Sequence, residues 1–120
     1  MHEKKWLNRR KDVNWYNASV LRYNETVQRQ SDLDLDTISA AGVQTEINYL
    51  RDLLQQQRTA APPERGRQLQ AARLQYYQTY IDIWIAAANG DSEPPIAVEE
   101  LQAMQTELFD HMEDVRTACA

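Results

Sequence analysis

The amino-acid sequence predicts an all-α domain, a four-helix up-down-up-down bundle, on three observations. Apolar residues recur at steps of three and four in four segments of similar length. Turn-forming stretches separate the segments: the Asp-rich residues 31–36, the pair Pro62-Pro63, and residues 89–95. No segment alternates apolar and polar residues as a half-buried strand does. Helices of matched length joined by short connections favour antiparallel neighbours.

The chain length and composition indicate a single domain, 1–120, with disorder or a foreign origin left open for residues 1–5. Hydrophobic residues make up 42% and charged residues 26%, as in ordinary globular proteins. The single cysteine, Cys119, leaves the redox compartment open. No run of about 18 apolar residues predicts a membrane span, and the first residues lack a secretory signal. Cytoplasmic localisation is the default expectation, and an exported or envelope fragment is the alternative if the chain is truncated at its N-terminus.

The first helix is predicted over about 5–30, with one apolar seam along it. The seam consists of Trp6, Val13, Tyr16, Val20, Tyr23 and Val27. Continued past residue 30, the same register meets mostly polar residues, so the helix must end in the Asp-rich stretch. Asp34 or Asp36 is then the expected N-cap of a second helix over about 37–58, because a short acidic side chain accepts from free backbone amides.

The second helix carries a seam of Ala40, Val43, Ile47, Leu50 and Leu54. Gly42, near its start, indicates a close approach to a neighbouring element. Pro62 and Pro63 end this helix and begin the third, predicted over about 63–89, because proline tolerates a first helical turn. Gly90 supplies the left-handed residue that ends the third helix.

The fourth helix is predicted over about 96–117, with Glu99 and Glu100 in its first turn. Its apolar residues are Val98, Leu101, Met104, Leu108, Phe109, Met112 and Val115. The third helix is apolar over more of its circumference than the others. It is therefore either the most buried element or the place where a partner docks.

Aromatic residues supply the most distinctive candidates for binding a partner. The candidates are Trp15, Tyr76, Tyr80 and Trp84. Tyr and Trp combine a large apolar ring with one polar group, which suits an interface and equally suits a bundle core with wet edges. The core interpretation is favoured for most of them, because they lie on the helical seams. Tyr76 and Trp15, at the seam margins, are the better candidates for surface anchors.

The net charge of −5 combines a basic start with an acidic remainder. Lys4, Lys5, Arg9, Arg10 and Lys11 could meet an anionic lipid or nucleic acid. In an antiparallel bundle they lie beside the end of the acidic fourth helix, so pairing with its carboxylates is the favoured alternative. The acidic carboxylates in question are Asp110, Glu113 and Asp114. Nucleic-acid binding by the whole domain is disfavoured.

Glu107, His111 and Asp114 share one face of the fourth helix and form a weak metal candidate. Three ligands on one helix rarely suffice, and a solvated acidic flank is the favoured interpretation. The series Asp32, Asp34 and Asp36 resembles the start of a calcium loop, but Thr37 and Val43 stand where that loop requires Gly and Glu. No metal or other cofactor is therefore expected.

The sequence offers no catalytic constellation, because its two histidines and its one cysteine form no triad and no glycine-rich phosphate loop is present. We therefore expect a non-enzymatic helical interaction or structural module, self-associating or part of a larger, envelope-associated assembly, with a protein or a second copy as partner. The alternative is a bundle that binds a small molecule or a metal ion. The succession of long helices with Pro-Pro-Glu and Asn-Gly-Asp turns is common in bacterial helical domains and indicates no single family.

Overall fold

The structure, a computed structural model, describes the backbone of residues 2–34, 37–91 and 93–119, and the side chains of residues 10–34, 37–91 and 93–117. Four α-helices run over α1 (His2–Asp32), α2 (Ala40–Thr59), α3 (Arg67–Ala88) and α4 (Val98–Cys119), with a 3-10 turn at Glu64–Gly66. No strand occurs among the described residues. The predicted all-α, four-helix class is confirmed. Within those ranges, none of the helices combines the length and the apolar character needed to cross a bilayer.

The start of α2 differs from the prediction. Its N-cap is Ser39, whose hydroxyl accepts a hydrogen bond from the Gly42 amide at 3.0 Å, and Asp34 does not take that role. Asp36, the other predicted cap, lies outside the described residues. A Cβ at Gly42 would lie 2.7 Å from Cγ1 of Ile38, so the close approach there is to the loop just before α2 and not to a neighbouring helix, as the sequence had indicated.

Proline and glycine act at the ends of α3 as the sequence predicts, with one difference. The residues after Pro63 form the 3-10 turn first, and the α-helix begins only at Arg67. At the other end Gly90 has φ 75°, and the Asp91 amide donates to the Ala86 carbonyl at 3.0 Å. The Gly90 amide donates to the Ala87 carbonyl at 3.1 Å, which completes a Schellman motif.

Neighbouring residues on α1 and α2 run in opposite directions along the two helices, since Trp15 contacts Ala60 and Arg29 contacts Glu46. Between α1 and α4 the Tyr23 ring contacts Phe109, and Tyr16 interacts electrostatically with Arg116. Between α3 and α4 Thr79 contacts Met104, and Gln68 and His111 line one groove. Helix α3 contacts all three other helices.

The apolar core lies between α2, α3 and α4. Its buried residues on these helices are Val43, Ile47, Leu50, Leu53, Leu54, Leu69, Tyr76, Tyr77, Ile81, Trp84, Met104, Leu108 and Val115. Helix α1 adds only Trp15 and Tyr23 to this cluster. The fold is therefore an apolar three-helix core with α1 laid against it.

The buried face of α1 differs from the predicted seam. Asp12, Ser19 and Thr26, spaced seven residues apart, are buried, whereas Val27 of the predicted seam is 42% exposed. Val13 and Val20 are only half-buried, and the side chain of Trp6 lies outside the described residues. The buried polar row (Asp12, Ser19 and Thr26) and the predicted valine row (Val13, Val20 and Val27) are offset by one residue, or about 100° around the helix. Arg22 and Arg29, which flank the polar row, hydrogen-bond to Gln57 and Glu46 of α2 and hold α1 in this orientation.

Candidate functional site

Glu46 anchors α1 to α2 near the end of the bundle where α1 terminates. Its carboxylate is 1% exposed and accepts hydrogen bonds from Arg29 Nε at 2.6 Å and from Gln30 Nε2 at 2.5 Å. The indole Nε1 of Trp84 donates to Gln30 Oε1 at 3.0 Å. This network joins α1, α2 and α3 through polar groups, with the Arg29 guanidinium also 4.0 Å above the Tyr49 ring centroid.

A glutamine pair holds the middle of the α1 interface. Arg22 Nε donates to Gln57 Oε1 at 3.0 Å. Gln57 Nε2 in turn donates to Gln70 Oε1, and Gln70 Nε2 returns a bond to the Gln57 carbonyl at 2.5 Å. Both glutamines are buried, so this pair satisfies polar groups that water cannot reach.

Trp15 closes the interface at the opposite end. Its Nε1 donates to the Ala60 carbonyl at 3.3 Å, and its ring packs against Gly66. Beside it, Asp12 accepts from Arg65 Nε at 3.0 Å. A cleft of about 410 Å³ opens here and is lined in part by the Trp15 ring and by Pro62-Pro63.

Arg73 on α3 lies between these anchors, fully buried and without a counter-ion. All three guanidinium nitrogens are inaccessible to solvent, and none of them has a hydrogen-bond partner. The guanidinium carbon lies 4.1 Å from the centroid of the Tyr23 ring, a cation-π contact. Burial lowers the pKa of Arg73 to about 10, because desolvation disfavours the charged form.

The tyrosines around Arg73 are neutral and do not compensate its charge. Burial raises the pKa of Tyr23, Tyr76 and Tyr77 above the ordinary phenol value. For Tyr76 the neighbouring phenol of Tyr80 raises the pKa further. At neutral pH the guanidinium therefore faces phenol rings and hydroxyl groups rather than phenolates.

Three more buried polar atoms on α1 and α3 lack a hydrogen-bond partner. They are Ser19 Oγ, Arg22 Nη2 and the Tyr77 hydroxyl. The Tyr77 hydroxyl lies near Thr26 without a well-formed bond to it, and the Thr26 hydroxyl itself donates to the Arg22 carbonyl at 2.8 Å. Buried polar groups in folded proteins are almost always paired, so this concentration of unpaired donors marks the α1–α3 interface as the candidate site.

The aromatic candidates from the sequence lie in the core or at its edge. Trp15 and Tyr76 are 8% and 2% exposed, so the expectation that these two are surface anchors was wrong. Trp84 is buried and hydrogen-bonded to Gln30, and Tyr80 is half-buried and tilted against the Tyr76 ring. The physical reason is that α3 lies between α2 and α4 with α1 over its remaining face, so both margins of its seam are covered.

The metal candidate does not assemble. His111 Nε2 lies 3.6 Å from Glu107 Oε1, on a groove of about 260 Å³ that α3 lines with glutamine and alanine side chains. Among the described residues that line this groove, Glu107 carries the only carboxylate. Within the part of the chain whose side chains are described, no group of three or more His, Cys, Asp or Glu residues, Asp114 included, lies close enough to hold a metal ion.

The basic start of α1 was expected to pair with carboxylates at the end of α4. Lys4, Lys5 and Arg9 have side chains outside the described residues. Glu113 pairs with Arg116 on its own helix, and this hydrogen bond lowers the pKa of the Glu113 carboxyl. A salt bridge within α4 thus occupies one of the three acids expected to meet α1.

Among the residues whose side chains are described, four large apolar residues are exposed. They are Leu21, Val27, Val98 and Phe109. Phe109 on α4 is 56% exposed, and its ring forms a T-shaped pair with that of Tyr23 on α1, with centroids 6.1 Å apart. By helical spacing Val13, Val20 and Val27 lie on the side of α1 next to Tyr23, and we call these valines and Phe109 the α1–α4 face.

The sequence analysis missed Arg73, Ser19 and Gln57 as site residues. Arg73 stands four residues after Leu69 and four before Tyr77, within an apolar seam, and a charged residue at such a position is a signal that could have been used. The seven-residue spacing of Asp12, Ser19 and Thr26 is a weaker signal than the position of Arg73, because the neighbouring valines at 13, 20 and 27 have the same spacing.

Comparison with family models, with curated proteins and with solved structures found no match for the chain.

Proposed function

We propose that the protein is a non-enzymatic interaction module that self-associates through the α1–α4 face. The observation that carries the proposal is the orientation of α1. Its polar row faces the core and its valine row faces outward, beside the exposed ring of Phe109. An apolar row left at a helix junction is typical of a surface that another chain covers.

The spacing of the valine row suits a helical occupant. Val13, Val20 and Val27 repeat every seven residues, the period at which two helices pack knobs into holes. Of the residues three positions later, Tyr16 is half-buried and Tyr23 is buried in the protein's own core, so the valines rather than the tyrosines would contact another chain. A helix from another chain can therefore pack along this valine row, with Phe109 at its edge.

The charge distribution favours a second, antiparallel copy as that occupant. One end of the bundle, where α1 terminates and α4 begins, carries six exposed acids and, among the described residues there, one base, Arg29, which is paired with Glu46. These acids are Asp32, Asp34, Asp91, Glu93, Glu99 and Glu100. The other end begins with five bases in the first eleven residues, including exposed Arg10 and Lys11. A two-fold axis across the α1–α4 face places the basic end of each copy beside the acidic end of its partner.

Sedimentation equilibrium over a range of concentrations tests this proposal. We expect a monomer–dimer equilibrium that shifts toward monomer when Val27 and Phe109 are both changed to Gln, with a dimer Kd raised at least about tenfold. Leu21→Gln is the matched control, because Leu21 is 63% exposed on a different side of α1 and its loss should leave the dimer intact. Raising the salt concentration should also weaken the dimer.

A monomer at all concentrations would contradict self-association. A dimer that Leu21→Gln weakens as much as the double substitution does would contradict the assignment to the α1–α4 face. Circular dichroism of each variant establishes that its helices are retained.

A further inference from the structure

We propose that the α1–α3 interface binds a small oxyanion, a phosphate, a sulfate or a carboxylate, through Arg73 together with Arg22, Ser19 and Tyr77. This site is separate from the α1–α4 face, and the proposal does not depend on self-association.

Arg73 supplies the charge and the geometry. A guanidinium presents its N–H groups in a planar fork that matches two oxygens of a carboxylate or phosphate. In Arg73 all three nitrogens are buried without an acceptor, and the guanidinium carbon lies 4.1 Å from the Tyr23 ring centroid. This cation-π contact is not a hydrogen bond to an oxygen acceptor, so the N–H groups have no such acceptor within the protein.

The neighbouring groups are of the kind that an oxyanion needs. Ser19 Oγ, Arg22 Nη2 and the Tyr77 hydroxyl are buried and unpaired, and each can donate a hydrogen bond. Ser19 and Arg22 lie three residues apart on the buried side of α1, and Tyr77 lies one turn after Arg73 on α3. Two helices thus direct four unpaired donor groups, two of them cationic, toward their common interface.

No carboxylate of the protein neutralises this group within the described residues. The two buried acids at the interface are already paired elsewhere, Asp12 with Arg65 and Glu46 with Arg29. A buried guanidinium without a counter-ion is strongly unfavourable, and an external anion would remove that penalty.

Entry of the anion requires a small outward movement of α1. Helix α1 is held by the polar contacts of Glu46 and Gln57 and by the buried rings of Trp15 and Tyr23. Entry of the anion therefore has to separate α1 locally from α3 around Ser19 and Arg22, and the free energy of anion binding has to exceed the cost of that separation.

Thermal unfolding in sodium phosphate, sodium sulfate and sodium acetate tests the proposal, each compared with sodium chloride at equal ionic strength. We expect at least one oxyanion to raise the midpoint along a saturating curve. Arg73→Met should abolish the saturating rise of the midpoint, and Tyr77→Phe should raise the half-saturating anion concentration severalfold. Arg51→Met, which removes an exposed arginine, is the control and should leave the saturating rise unchanged. A response to acetate alone would identify a carboxylate ligand, and a response to phosphate or sulfate alone would identify a tetrahedral anion.

Equal, linear rises of the midpoint in wild type and Arg73→Met would overturn the proposal, because they indicate general exclusion of the salt from the surface. The absence of any saturating response in wild type would overturn it as well. If Arg73→Met does not fold, two other measurements decide the outcome. One is the midpoint response of Tyr77→Phe, and the other is the shift of the Arg73 Nε–H NMR resonance in wild type on adding phosphate, sulfate or acetate. A resonance that does not move contradicts binding at this site.

Discussion

The ring of Trp15 lies against Gly66 so closely that a Cβ on residue 66 would stand 2.8 Å from Trp15 Cζ3 and 3.1 Å from Cη2. Gly66 is buried and has φ −98°, so its role is space rather than an unusual backbone conformation. Through this contact the turn between α2 and α3 seats the tryptophan whose Nε1 donates to Ala60. The glycine therefore fixes how closely α1 approaches the start of α3.

Gly66→Ala should lower the free energy of unfolding by about 1–3 kcal/mol, because the added methyl group overpacks a rigid ring. Urea unfolding followed by circular dichroism measures the change. In Trp15→Leu, where the ring is gone, the same Gly66→Ala change should cost less than about 1 kcal/mol, because the two effects are coupled. Equal costs in both backgrounds would show that the ring does not require the glycine.

The helices and their ends follow largely from the sequence, and the face of α1 does not. Helical periodicity, Pro63 and Gly90 are local signals, so they place elements without reference to other parts of the chain. On α1 two rows spaced by seven residues compete, one of valines and one containing Ser19 and Thr26. Which row faces inward depends on partners distant in sequence, such as Gln57 hydrogen-bonded to Arg22, and no local pattern reports them.

The candidate site was not predicted for a related reason. The position of Arg73 within an apolar seam could have been noticed, but its lack of a counter-ion appears only once the neighbouring helices are in place. The aromatic candidates were assigned correctly to helical seams. Trp15 and Tyr76 were wrongly predicted to be exposed, because three helices and a turn, rather than one facing helix, cover the seam margins.

The stability of the fold should decrease as the pH rises above about 10. Burial raises the pKa of Tyr23, Tyr76 and Tyr77, so above about pH 10 the folded chain keeps phenol protons that the unfolded chain loses. The stability that these three phenols contribute is therefore complete below about pH 10 and is lost as the pH rises further. Arg73 acts in the opposite direction, because its pKa is lowered to about 10 and the unfolded chain holds that proton longer. Three phenols outweigh one guanidinium, and urea midpoints between about pH 9 and 11 measure the net decrease.

Two variants separate these contributions. Tyr76→Phe should flatten the decrease, because the pKa of Tyr76 is raised most. Arg73→Met should steepen it, because the opposing group is removed. A profile of unchanged slope in Tyr76→Phe would contradict the assignment.

Glu46→Ala should lower the free energy of unfolding by about 1–3 kcal/mol, because it leaves the half-buried amide of Gln30 without its acceptor. The loss of Arg29 as a partner adds less, since that side chain is 39% exposed and water can solvate it. The disturbance should reach Trp84, whose Nε1 donates to the same glutamine, and shift its indole N–H resonance. Asp110→Ala, at an exposed position of α4, should change stability by less than about 0.5 kcal/mol and leave that resonance in place. If Glu46→Ala unfolds like the control and the Trp84 signal does not move, the polar network does not hold α1 to the core, and anion entry by displacement of α1 loses its structural basis.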